Sequence, residues 1–113
     1  MPEDCLFCKI VNDEIPARKI YEDDQMLAFW DVSPQAPTHF LVIPKKHVNG
    51  PGALAPEDDD LIGALIRKGA ELGRENQIPD CRLVLNNGAG AGQTVFHLHL
   101  HVLGGRPLSW PPG

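Results

Sequence analysis

The sequence predicts an α+β domain, and three observations carry that expectation. Three short β-rich runs, at 18–22, 26–32 and 38–43, follow one another at hairpin-sized spacings. One long amphipathic helix occupies 57–76, and two further β-rich runs, at 81–85 and 97–103, come after it. Hairpin-sized spacings favour an antiparallel sheet, and 113 residues suffice for one domain with one core.

Each element has a local reason. A short helical turn is expected at 5–11. The run at 18–22 is short and weak, that at 26–32 contains Leu27, Phe29 and Trp30, and Thr38-His39-Phe40-Leu41-Val42-Ile43 is β-branched and apolar. In the helix, Leu61, Ile62, Leu65, Ile66 and Leu72 lie close to one face. Pro56 suits its first turn, and Glu57-Asp58-Asp59-Asp60 complement the positive end of its dipole. That acidic run reads as a solvated helix start rather than a cation site. Cys81, among apolar neighbours, reads as core. Asn49-Gly50-Pro51-Gly52, the glycine-rich 86–92 and Gly104-Gly105-Arg106-Pro107 are the breaks between elements. One helix cannot cover both faces of such a sheet, so pairing with a second copy is expected.

Charge limits the partners. The formal net charge is -5, and the ten Lys and Arg residues are scattered, which speaks against a nucleic-acid polymer. Any phosphate must be held by local donors such as backbone N–H groups and histidines. No apolar stretch is long enough to span a bilayer, so no membrane partner is expected. Met1-Pro2-Glu3-Asp4 lacks a signal-peptide core, which reads as cytoplasmic. Three cysteines in a reducing compartment point to metal or thiol chemistry rather than a disulfide framework.

Three of the five histidines stand in His97-Leu98-His99-Leu100-His101. In a strand, alternate side chains share a face, so three imidazoles line one side and the leucines enter the core. Residues two apart on a helix face away from each other, which rules out a helix here. A solvent-facing polar stripe would explain one histidine better than three in alternation. Histidine titrates near neutrality and serves as nucleophile, general acid or metal ligand. Immediately upstream, Gly88-Ala89-Gly90-Ala91-Gly92-Gln93-Thr94 offers backbone N–H groups, and the Gln93 and Thr94 side chains, to an oxyanion.

These residues resemble the signature of the histidine triad superfamily, through Gly92-Gln93-Thr94-Val95-Phe96-His97-Leu98-His99-Leu100-His101-Val102-Leu103. The segment from Asp31 to His47 and the Gly104-Gly105-Arg106 and Trp110-Pro111-Pro112-Gly113 ending are similar to the Hint branch. The resemblance implies a five-stranded antiparallel sheet, one long helix, and a homodimer through a continuous sheet. It implies hydrolysis of purine nucleoside 5′-monophosphoramidates, adenylyl-lysine-like or aminoacyl-adenylate-like, with AMP or GMP as product. It further implies His99 as the nucleophile that becomes a nucleotidyl-histidine, His101 at the phosphate or leaving group, and His39 as support. Asp31 matches the ribose-binding acid and Val32 packs against the base. Phe7, Asn86, Gly92, Gln93 and Thr94 fall where the family binds nucleoside and phosphate. Trp110 lies in a tail that shapes leaving-group selectivity in the partner subunit. No metal is required for this chemistry.

Cys5-x-x-Cys8 is half of a tetrahedral zinc site by spacing. It also reads as a redox pair, though no βαβ pattern surrounds it, or as two buried thiols on a short helix. The resemblance to other histidine triad proteins implies completion by His47 and His97, giving a structural Cys₂His₂ zinc site. Two other functions compete with the phosphoramidase. One is a metallohydrolase with His97, His99 and His101 as ligands. The other is a non-catalytic nucleotide-binding scaffold.

Overall fold

Strand and helix follow in the order α1 (Leu6–Val11), β1 (Lys19–Glu22), β2 (Met26–Trp30), β3 (Thr38–Pro44), α2 (Asp59–Glu75), β4 (Cys81–Val84) and β5 (Leu100–Gly104). The structure is a computed structural model and describes residues 4–113. Met1, Pro2 and Glu3 of the acidic N-terminal stretch lie outside the described residues.

The five strands form one antiparallel sheet in the order β1-β2-β3-β5-β4. Asp23 closes the first hairpin by accepting from the Gln25 and Met26 N–H groups at 2.7 and 2.9 Å. β2 pairs with β3 in an unbroken register from Met26↔Pro44 to Trp30↔Phe40. α2 then carries the chain across one face, so that β5 returns beside β3 and β4 is left at the edge.

Both faces of the central strands are covered. Met26 to Phe29 and His39 to Pro44 are buried without interruption, as strands covered on both faces are. On one face Met26, Ala28, Phe40, Val42, Leu100 and Val102 pack with Leu65 and Leu72 of α2. On the other, Leu27, Phe29, Leu41 and Ile43 pack with Phe7 and Ile10 of α1. Burying each of the Val, Leu, Ile, Phe and Met side chains among these contributes about 1.5–3 kcal/mol. α1 therefore covers part of the face that the long helix cannot reach.

The helix face differs from the expectation at Ile66, which is exposed, while Gly69 and Gly73 join Leu65 and Leu72 on the buried seam. Ile66 lies about 100° around the helix from Leu65. A Cβ at Gly69 would sit 2.8 Å from Leu100 Cδ2, so glycine lets the helix approach the sheet. The acidic start is also refined. Pro56–Asp58 forms a 3-10 turn, and the buried Asp58 accepts from the Ala55 N–H at 2.9 Å and pairs with Lys46. Asp59 and Asp60 remain exposed in the first turn of α2. Cys81 is half-buried against the core formed with α2.

The last strand corrects the sequence reading in one respect. Its ladder starts at Leu100, so His97 and His99 precede it and only His101 of the three lies on β5. The Leu98 N–H bonds the Val48 carbonyl at 2.6 Å instead of a neighbouring strand. The alternation nevertheless persists, with Leu98 and Leu100 in the α2-side core. No helix among the described residues is long and apolar enough to cross a membrane.

Candidate active site

His99 is set up by its own chain. Its Nδ1 lies 2.8 Å from the His97 carbonyl, which can only accept. Nδ1 therefore carries the hydrogen, and Nε2 keeps its lone pair in the neutral ring. Phe7, brought across by α1, packs edge-on at 5.1 Å and 88° and fixes the plane of the imidazole. The ring is buried, at 8% exposure.

A second chain of polar groups meets His101. The Gln35 N–H donates to His39 Nδ1 at 3.0 Å, so neutral His39 carries its hydrogen on Nε2. That hydrogen faces His101 Nδ1 at 3.0 Å and Asp31 Oδ2 at 3.4 Å, and the shorter contact defines the bond. His101 Nδ1 accordingly accepts, and its own hydrogen lies on Nε2. Asp31 is held in place by the Ser33 N–H at 2.8 Å. Burial lowers His39, against the pull of the Asp31 carboxylate. Burial, reinforced by His99 and His39, pushes His101 down to about 4.

The His101 shift has a consequence for stability. From about pH 6.5 to about 4 the unfolded chain takes up a proton at this position and the folded chain does not. Stability is lost as pH falls through that window and is independent of this group outside it. Thermal melts from pH 6.5 to 4 are therefore expected to fall more steeply for the wild type than for His101→Gln. Parallel slopes would contradict a neutral His101.

The glycine loop precedes the histidines as expected, with left-handed backbone at Gly88 (φ 97°) and Gly92 (φ 98°). Gln93 differs from the expectation. Its buried amide accepts from the Gly88 N–H at 2.8 Å and donates to the Asn49 and Val95 carbonyls at 2.6 and 3.1 Å. Both amide nitrogen hydrogens are engaged, so Gln93 shapes the loop rather than offering side-chain donors. Gly92 and Thr94 are exposed, and Asn86 is half-buried beside Gly92. A cleft of about 720 Å³ opens alongside, lined by Phe7, Ile10, Phe29, Asp31, Val32 and Thr94, among others. Val32, one of the lining residues, is 98% exposed. Trp110, 83% exposed, does not line this cleft; its tail is tied down by Arg82, which donates to the Leu108 and Ser109 carbonyls.

Cys5, Cys8, His47 and His97 converge, with their ligand atoms all within 4.8 Å of one another. The tautomers suit a cation. His97 Nε2–H donates to the Pro44 carbonyl at 2.7 Å and His47 Nε2–H to Asn49 Oδ1 at 2.8 Å. Both Nδ1 lone pairs are thereby turned to the thiols, His97 at 3.4 Å from Cys5 Sγ and His47 at 3.2 Å from Cys8 Sγ. A tetrahedral zinc with N and S ligands has edges of about 3.5 Å. Burial, then the hydrogen bond and charge of Cys5, push the Cys8 thiol up to about 11. A cation at the centre reverses that penalty by stabilising thiolates. These four residues could hold a metal ion.

Asp31, His39 and His101 also converge. There the Gln35 N–H occupies His39 Nδ1 and keeps the hydrogen on Nε2, where a metal would need a lone pair. The three triad histidines do not converge as one ligand set among the described residues, because the His97 Nδ1 faces the thiols. The metallohydrolase reading loses its geometric basis. Gln35, Asn49 and the Pro44 carbonyl, which set these tautomers, carry no sequence signal. Two act through the main chain, and the third is an asparagine in a turn.

A model of the HIT domain matches residues 12–108. The chain is 59% identical to an uncharacterized HIT-like protein of Synechocystis sp., over the full length of both. Among solved structures it is similar to a HIT family hydrolase from Legionella pneumophila Philadelphia 1, with 46% identity and a TM-score of 0.94, covering 96% of this chain and 99% of that one. A HIT family hydrolase from Clostridium thermocellum superposes with a TM-score of 0.91 at 37% identity, covering 95% of each chain.

Proposed function

The chain belongs to the HIT domain family, and from that premise we propose that it hydrolyses the P–N bond of purine nucleoside 5′-monophosphoramidates through a nucleotidyl-His99 intermediate. The observation that carries the reading is the bond from His99 Nδ1–H to the His97 carbonyl. It leaves Nε2 as a fixed lone pair on a ring packed against Phe7, itself a wall of the large cleft.

The nucleoside occupies that cleft, its base against Phe7, Ile10 and Val32 and its ribose hydroxyls on Asp31. Thr94, through its hydroxyl and main-chain N–H, and the Asn86 amide take the non-bridging oxygens. The Ala91, Gly92 and Gln93 N–H groups hold the shape of the loop by donating to the Gly88 and Ala89 carbonyls. His99 Nε2 attacks phosphorus, the N–P bond breaks, and the amine must leave with a proton. The reacting form carries that proton on the Asp31–His39–His101 chain, where the phosphoryl charge of bound substrate favours it. His101 Nε2 delivers it. Water then attacks nucleotidyl-His99, returning a proton to the chain and releasing AMP or GMP. The net reaction is phosphoramidate plus water to nucleotide plus amine.

Zinc is the ion the Cys₂His₂ donor set fits best. When bound it supplies a structural cross-link and no chemical step. Cys5, Cys8, His47 and His97 hold it, and a reducing compartment such as the cytoplasm keeps the two thiols available. The active unit is a homodimer through the β4 edge, in which the exposed Trp110 of each copy tunes leaving-group choice at its neighbour. The exposure of Leu83 on β4 and of Trp110 supports that pairing.

Adenosine 5′-phosphoramidate tests the reading directly. The expected result is ammonia and AMP in equal amounts. Tight AMP binding with no amine released from any phosphoramidate would favour the scaffold instead.

A further inference from the structure

The metal-ligand cluster and the nucleotide site are built from the same short segments, and three separate connections join them. The first is α1. Cys5 caps this helix by accepting from the Cys8 N–H through its sulfur at 3.3 Å, and Leu6 and Phe7 between the two cysteines line the nucleoside cleft. Six residues are too few for a helix to hold itself, so α1 depends on what anchors it. Its anchors are the apolar contacts of Phe7 and Ile10 and the two cysteine sulfurs, which meet the His97 and His47 rings.

The second connection runs to the phosphate loop. His47 Nε2–H bonds Asn49 Oδ1 at 2.8 Å, the Asn49 carbonyl accepts from Gln93 at 2.6 Å, and Gln93 accepts from the Gly88 N–H at 2.8 Å. The third is the shortest. His97 offers its ring to the cluster and its carbonyl to His99 Nδ1. One cation would thus hold a wall of the nucleoside cleft, the frame of the phosphate loop and the carbonyl that orients the nucleophile.

We propose that cation occupancy of the Cys5–Cys8–His47–His97 cluster and nucleotide binding in the cleft are positively coupled, each tightening the other. The proposal rests on the nucleotide reading above. The physical ground is that both ligands favour one arrangement of the same segments, and the coupling must then be reciprocal. A cluster that served only as a staple would raise stability and leave nucleotide affinity untouched. Coupling makes the cleft responsive to metal supply, and it makes nucleotide a guard against metal loss.

The test uses the folded protein loaded with Co²⁺, whose visible absorption reports a Cys₂His₂ environment. The partition of Co²⁺ between the protein and a competing chelator is measured at equilibrium with and without saturating AMP, and AMP affinity is measured by calorimetry on the Co²⁺-loaded and the metal-free protein. AMP is expected to raise Co²⁺ affinity by about tenfold, and Co²⁺ to raise AMP affinity by the same factor, within the range usual for coupled sites. AMP that binds the loaded and the metal-free protein with equal affinity, and leaves the Co²⁺ partition unchanged, overturns the coupling alone. AMP that does not bind at all overturns both the coupling and the nucleotide reading.

Discussion

Replacing His99 with alanine is expected to lower kcat on adenosine 5′-phosphoramidate by about 10⁴-fold or more while leaving AMP affinity within about threefold. The magnitude follows from the absence of a substitute nucleophile. His101 Nδ1 is occupied by His39 and its Nε2 carries the hydrogen, while His97 is turned to the thiols. AMP affinity is largely retained because the cleft walls and the glycine loop are untouched. The variant leaves the His97 carbonyl without its partner, which costs about 1–3 kcal/mol of stability. Single-turnover amine release, measured well below the melting temperature, separates that cost from the chemistry. A loss of tenfold or less would mean that another group attacks phosphorus.

Removing metal is expected to have the largest effect on stability. An ion that binds only the folded chain, at a free concentration about 1,000 times its Kd, contributes about 4 kcal/mol. In a domain of this size that corresponds to about 15 °C in Tm. Scanning calorimetry of the zinc-loaded protein with and without chelator measures it. Cys8→Ser should melt close to the chelated wild type and respond little to added zinc. The effect should shrink as pH falls, because the ligands must shed protons to bind, and burial already pushes the Cys8 thiol up to about 11. A Tm indifferent to chelator would refute the site.

How much of this was legible in the sequence differs from residue to residue. The two-residue period at 97–101 correctly put Leu98 and Leu100 in the core and the histidines opposite. The period does not say whether the backbone has a strand partner, and the ladder in fact begins at Leu100. Cys5, Cys8, His47 and His97 converge from positions far apart in the chain, as the family resemblance implied. Gln93 reads from the sequence as a side-chain donor to an oxyanion because it closes a glycine-rich loop. Its burial between Gly88 and Asn49 is a tertiary fact. The Gln35 N–H and the Pro44 and His97 carbonyls decide which nitrogen of each ring is free, and backbone groups are common to nearly every residue, so no sequence pattern marks them.

The nucleophile is the central claim, and it is tested by trapping its product. Wild-type protein is mixed with a nucleoside phosphoramidate labelled at phosphorus, quenched during turnover and digested under mild alkaline conditions. The prediction is an acid-labile nucleotidyl group on the peptide carrying His99, absent from His99→Ala. Turnover with inversion at phosphorus and no such adduct would mean direct attack by water, and would contradict the assignment.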